Sequence, residues 1–128
     1  MSDKFEIIST DQAPEAIGPY SQAVKHNDLL FLSGQIPLDA ATMEVVKGDA
    51  AHQTRQVLEN VTQVLTAADL ELTDVVKTTL YIADMDQFER INAVYSDYFN
   101  NHKPARSCVE VAKLPKDVAI EMEVIAAF

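Results

Sequence analysis

The chain has 128 residues, 48% of them hydrophobic, with three Gly and five Pro; this is the size and make-up of one packed domain, 1–128, and excludes a disordered or low-complexity chain. Twenty acidic residues against ten basic give a formal charge of -10, a field that repels phosphate backbones and anionic bilayers and argues against nucleic acid and membranes as partners. One cysteine, Cys108, excludes an internal disulfide. The N-terminal run carries charges where a secretory leader needs apolar residues, and no stretch approaches the ~20 apolar residues of a membrane span, so a cytoplasmic protein is expected.

Phe5 to Ser9 reads as a short first strand, followed by the breaker-rich stretch Asp11 to Pro19. Ser21 to His26 and Leu29 to Ser33 are two extended runs around Asn27-Asp28, which suits a hairpin turn. Val57, Val61, Val64, Leu65 and Ala68 recur at helical spacing, so the pattern predicts an amphipathic helix over Ala50 to Ala68 with Asp49 as its N-cap. Val75 to Ala83, rich in β-branched residues, predicts a long strand.

Asp86 and Glu89 have the spacing of a capping box, and Phe88, Ile91, Asn92, Tyr95, Tyr98 and Phe99 follow as a second helical stripe. Arg106 to Ala112 and Ala119 to Ala126 read as strands, joined as a hairpin across Leu114-Pro115-Lys116-Asp117. The expected class is α+β: a mixed sheet with two helices on one face. The other face carries Glu121, Glu123 and Ile125 along the last strand, too apolar for water yet broken by carboxylates, which suggests subunit contact.

Arg106 and Cys108 stand two apart on one predicted strand and so share a face, with Glu121 brought near if the hairpin register allows. A guanidinium that grips a carboxylate in two places, next to a carboxylate that handles a proton or water, is a useful combination. The plainer reading is a structural salt bridge between Arg106 and an acidic neighbour. Cys108 has no His at a recognisable partner spacing, and a buried thiol is often merely a small hydrophobe. His26, His52 and His102 have no zinc-motif spacing and there is no Gly-rich phosphate loop, so neither metal nor cofactor is expected.

Three segments carry a resemblance. They are Ile17-Gly18-Pro19-Tyr20-Ser21-Gln22-Ala23, Ser33-Gly34-Gln35-Ile36-Pro37, and Pro104-Ala105-Arg106-Ser107-Cys108-Val109-Glu110-Val111-Ala112-Lys113-Leu114-Pro115-Lys116-Asp117. With Leu58-Glu59-Asn60-Val61 and Ile91-Asn92-Ala93-Val94-Tyr95, they make the chain similar to the RidA (YjgF/YER057c/UK114) family from about Ile8 to Ala126.

The resemblance implies a homotrimer of chorismate-mutase-like subunits, their sheets forming a central barrel and three sites lying in the clefts between subunits. It implies hydrolysis of enamine and imine intermediates, 2-imino acids such as 2-iminobutanoate and 2-iminopropanoate, to 2-keto acids and ammonia, without cofactor or metal. Arg106 matches the substrate-carboxylate arginine, Glu121 the acidic residue that handles water or a proton, and Cys108 a position whose backbone carbonyl meets the substrate nitrogen.

Tyr20, Ser33, Gly34 and Asn92 match cleft positions. Three of them also have a plainer role: interface packing for Tyr20, a strand-end backbone angle for Gly34, and internal capping or packing in the helix for Asn92. His102-Lys103-Pro104-Ala105 is the shorter of the family's forms, lacking an aromatic residue before the proline, which implies a wider or more polar rim. Two other functions use the same residues: a non-catalytic 2-keto-acid-binding regulatory trimer, and an RNA-directed translation inhibitor, which the acidic charge and absence of a basic stripe disfavour.

Overall fold

The computed structural model describes residues 4–128. Six strands and two helices follow in the order β1 (Glu6–Ile8), β2 (Ala23–His26), β3 (Leu29–Gln35), α1 (Ala50–Ala67), β4 (Val75–Ile82), α2 (Phe88–Tyr98), β5 (Ala105–Glu110) and β6 (Ile120–Ala127). They form one mixed sheet in the order β1-β2-β3-β6-β4-β5. The α+β expectation, two helices on one face of a mixed sheet, is met.

Local chemistry explains the elements that match. Asn27 takes a left-handed φ of 53° in the turn between β2 and β3, a conformation that Asn tolerates better than most residues. Asp49 caps α1, its Oδ1 accepting the His52 N–H at 2.9 Å. The α1 stripe of Val57, Leu58, Val61, Val64 and Leu65 is wholly buried against Leu30, Leu80, Ile120 and Met122 of the sheet.

Two expectations fail. Instead of forming a hairpin with β6, β5 lies parallel to β4 at the edge of the sheet, and β6 runs antiparallel between β3 and β4. Residues 111–119 link them, longer than the roughly two to five residues of a hairpin loop, and they carry the chain across β4. Burial decides the placement: Ile120, Met122, Val124 and Ala126 are at most 1% exposed, which demands a central position, whereas nearly every β5 residue is exposed.

The second failure is the capping box at Asp86 and Glu89. Asp84 instead accepts from Asp86 N at 3.0 Å and caps a short 3-10 turn, Met85–Gln87, that leads into α2. Glu110 Oε1 accepts the Met85 N–H at 2.8 Å, tying that turn to the end of β5. The helix therefore begins at Phe88 with no side-chain cap of its own.

The sheet face away from the helices is open. Alternation and register place Ile7, Phe31, Tyr81, Val109, Glu121, Glu123 and Ile125 there, with Ile7 60%, Phe31 41% and Val109 43% exposed. The sequence-based placement of Glu121, Glu123 and Ile125 on this face is met. No helix among the described residues is long and apolar enough to cross a membrane.

Candidate functional site

Arg106 pairs with Thr78 across β4 and β5, and Thr78 is buried under α2 with its hydroxyl 2.8 Å from Tyr95 Oη. The arginine therefore rises on the helix side. Its Nη1 donates to Asn92 Oδ1 at 2.6 Å, and its Cζ lies 4.9 Å from the Tyr95 ring centre and 5.4 Å from that of Phe88. Phe88, Asn92 and Tyr95 stand at positions i, i+4 and i+7 of α2, so one helical face forms the cradle.

Among the described residues, the one ion pair within 4.0 Å joins Lys113 and Asp117. The plainer reading of Arg106, a structural salt bridge, finds no acidic partner among the described residues. A cavity of about 330 Å³ opens beside the guanidinium, lined by Asn92, Tyr95, Phe99, Lys103, Pro104 and Arg106.

Cys108 follows on the same side as Arg106, paired with Leu80 and packed against the core. Burial pushes its thiol pKa up, with the Arg106 charge acting the other way, which suits a small apolar side chain better than a nucleophile. The backbone has a different use. Val111 donates its N–H to the Ile82 carbonyl at 2.9 Å, so by strand alternation the odd-numbered residues of β5 bond to β4. The Cys108 carbonyl then points to the unpaired outer edge of the sheet.

Ser33, Gly34 and Glu121 form a second group on the other face. Between Leu32↔Val124 and Gln35↔Met122 the β3 strand holds one extra residue, a bulge. It lays Gly34 so close over Glu121 that a Cβ there would fall 2.0 Å from Glu121 Oε2. Glycine is required here by close approach, its φ being unremarkable. Burial, then the neighbouring Glu123 carboxylate, push the Glu121 pKa above the ordinary carboxylate range. Glu123 in turn accepts the Tyr81 hydroxyl at 3.0 Å.

The Ser33 hydroxyl donates to the Ser21 carbonyl and its N–H to that of Gln22, which attaches the Tyr20-Ser21 segment to the bulge. Tyr20 is 53% exposed and lines an open groove of about 740 Å³ with Thr10, Asp11, Glu15 and Ser21.

Gln22, given no role by the sequence reading, organises that segment. Its buried amide accepts from Thr10 N at 2.7 Å and donates to the carbonyls of Thr10 at 3.0 Å and Pro14 at 2.7 Å. Polar type and motif position hint at Gln22, but burial, which sequence does not display, makes it structural.

The structure thus assembles Arg106, Asn92 and Cys108, and separately Tyr20, Ser33, Gly34 and Glu121. It does not bring Glu121 to Arg106 within one chain. Glu121 pairs with Tyr81 and Arg106 with Thr78, so they point to opposite faces from strands two spacings, about 10 Å, apart. No cluster of three or more potential metal-ligating side chains occurs among the described residues.

Residues 10–128 match the family described as Endoribonuclease L-PSP. A RutC family protein of Pyrococcus horikoshii is 56% identical over 121 residues, covering 94% of this chain and 96% of that protein. A protein of Escherichia coli named 2-iminobutanoate/2-iminopropanoate deaminase is 50% identical over 122 residues, covering 93% of this chain and 94% of its own. The solved structure of Escherichia coli TdcF with bound serine superposes with a TM-score of 0.91 at 46% identity, covering 96% of this chain and 98% of that one. By family match, identity and fold together, this chain belongs to the YjgF/RidA (L-PSP) family.

Proposed function

We propose that the chain is a hydrolase of carbon-nitrogen double bonds, converting 2-imino acids such as 2-iminobutanoate and 2-iminopropanoate to 2-keto acids and ammonia in the cytoplasm. The observation that carries this is the state of Arg106: a guanidinium oriented by Asn92 and two rings, without a carboxylate partner among the described residues, in a chain with twice as many acids as bases. A planar substrate carboxylate fits that fork. The name of the Escherichia coli relative and the serine bound by TdcF, an amino acid with the same carboxylate and a neighbouring nitrogen, support the same reading.

The site in this proposal is shared between copies of the chain. A homotrimer whose open sheet faces turn inward would cover Ile7, Phe31 and Val109 and set the Glu121 group of one copy against the β5 edge of the next. Arg106 holds the carboxylate, and the outward Cys108 carbonyl receives the substrate N–H. Glu121, whose pKa is raised by burial and by Glu123, donates in its neutral form to the imine nitrogen as water adds to carbon and the carbon-nitrogen π bond breaks. The resulting carboxylate takes the water's proton. The carbinolamine then collapses, the carbon-nitrogen bond breaking as the carbonyl forms and ammonia leaves.

The test generates 2-imino acids in situ from amino acids with an amino-acid oxidase and follows keto-acid formation. The protein should raise the rate over buffer; a flat response for every side chain would sink the proposal. Sedimentation should give a species near three times the 14.2 kDa chain. Glu121→Gln should lose hydrolysis while retaining keto-acid binding, which separates an enzyme from a non-catalytic binding trimer.

A further inference from the structure

The lining of the cavity beside Arg106 includes two cations, Arg106 and Lys103. They share a space of about 330 Å³ with the apolar groups Tyr95, Phe99 and Pro104 and the polar groups Asn92 and Ser96. Tyr95 and Phe99 lie as a tilted pair with ring centres 4.7 Å apart. The lining thus combines two cations with aromatic carbon, a chemistry complementary to a molecule with two anionic ends and a short hydrocarbon spacer.

Neither cation is in an ion pair among the described residues. The residue before a proline is confined to extended backbone, so Pro104 restricts how Lys103 can turn. The adjacent His102 is engaged elsewhere, its Nε2 bonded to the Val75 carbonyl. Lys103 is therefore the residue left to meet an anion at this end, and the chain's overall charge of -10 makes such a local reversal a matter of selectivity.

We infer that this cavity is a second-anion subsite, and that the acids the chain takes best are 2-imino and 2-keto dicarboxylates, the α-carboxylate on Arg106 and the distal one on Lys103. As a statement about substrate, the inference rests on the deaminase reading. As a statement about binding, it stands without it. A lysine this exposed contributes modestly, so the preference amounts to roughly three- to tenfold.

The test uses the purified chain and two stable probes that differ in the distal carboxylate, 2-ketoglutarate and 2-ketobutyrate, with binding read by calorimetry. The wild type should bind 2-ketoglutarate more tightly by roughly three- to tenfold at low salt, and the margin should shrink as salt rises. Lys103→Gln should erase the margin while leaving 2-ketobutyrate affinity within about twofold, and Lys103→Glu should reverse it. A wild type without the preference, or a preference indifferent to Lys103→Gln, overturns the subsite.

A parallel arm compares hydrolysis of imines made from glutamate and from 2-aminobutyrate. Hydrolysis of the monocarboxylate imine with no effect of Lys103 on either substrate would overturn the subsite and leave the deaminase standing. Dianion binding that depends on Lys103, without acceleration of either imine, would support the subsite and remove the deaminase.

Discussion

Arg106 stands on an edge strand whose residues are nearly all exposed, and its orientation comes from the face of a neighbouring helix. Glu121 stands on the central strand between two of the most buried side chains in the molecule, Ile120 and Met122, and its surroundings come from a bulge in β3. In the proposed site, the binding half is thus a charge held by side chains at an open margin. The half proposed to handle the proton is a carboxyl held by backbone geometry. A guanidinium tolerates solvent and still grips an anion, whereas a carboxyl needs partial burial for its pKa to rise.

The largest expected effect falls on the exposed half. Arg106→Ala should cost one to two powers of ten in keto-acid formation, on the order of 1.5 to 3 kcal/mol for a lost charge-assisted contact, and Arg106→Lys should recover little because it lacks the fork. The melting temperature should fall only modestly, since Arg106 forms no ion pair among the described residues and its contacts with Asn92, Phe88 and Tyr95 lie at an exposed edge. Unfolding by Arg106→Ala would show that the edge needs the arginine for structure.

Gly34→Ala probes the buried half. The new methyl meets the far end of Glu121 first, so the carboxyl yields and activity should fall by about tenfold, with stability changed by less than about 1 kcal/mol. In a Glu121→Ala background the same substitution should have almost no further effect on rate. A full additional loss there would mean that Gly34 serves something other than Glu121.

The titration of Glu121 sharpens the contrast further. Its folded pKa is raised, so the folded chain holds this proton more tightly than the unfolded one, and stability relative to Glu121→Gln should decline as pH climbs from the ordinary value of 4.5 to the raised one, then level off. Denaturant midpoints across that range measure it. A difference that grows with pH would contradict the burial argument. Smallest of all, Asp49→Ala removes the α1 cap and should cost about 1 kcal/mol of stability without touching either half of the site.

The helices and the open face were readable because periodicity and capping are local: Asp49, the α1 stripe, and the alternation of Glu121, Glu123 and Ile125 each follow from neighbours in sequence. Strand order is not local. Pairing β5 with β6 followed chain adjacency, and that error also placed Arg106 beside Glu121. The corrective signals were present in the length of residues 111–119 and in the contrast between polar Arg106-Ser107 and the all-apolar alternate positions of β6. The Arg106 cradle was half visible, since Phe88, Asn92 and Tyr95 lay on one predicted helical stripe. The bulge at Ser33-Gly34 and the buried amide of Gln22 depend on contacts that no spacing encodes.

The central place of β6 bears on how the molecule is made. Until Ile120–Ala127 emerge from the ribosome, β3 and β4 have a vacant slot between them, and the nascent chain presents two unpaired strand edges beyond those at the sheet margins. The sheet closes only when the last strand inserts, pairing residue 126 with Leu30 and residue 120 with Ile82 in one step. Such long-range closure slows folding and lengthens exposure to aggregation. A stall or stop codon a few residues before Ile120 would therefore leave an open sheet that associates with its own kind.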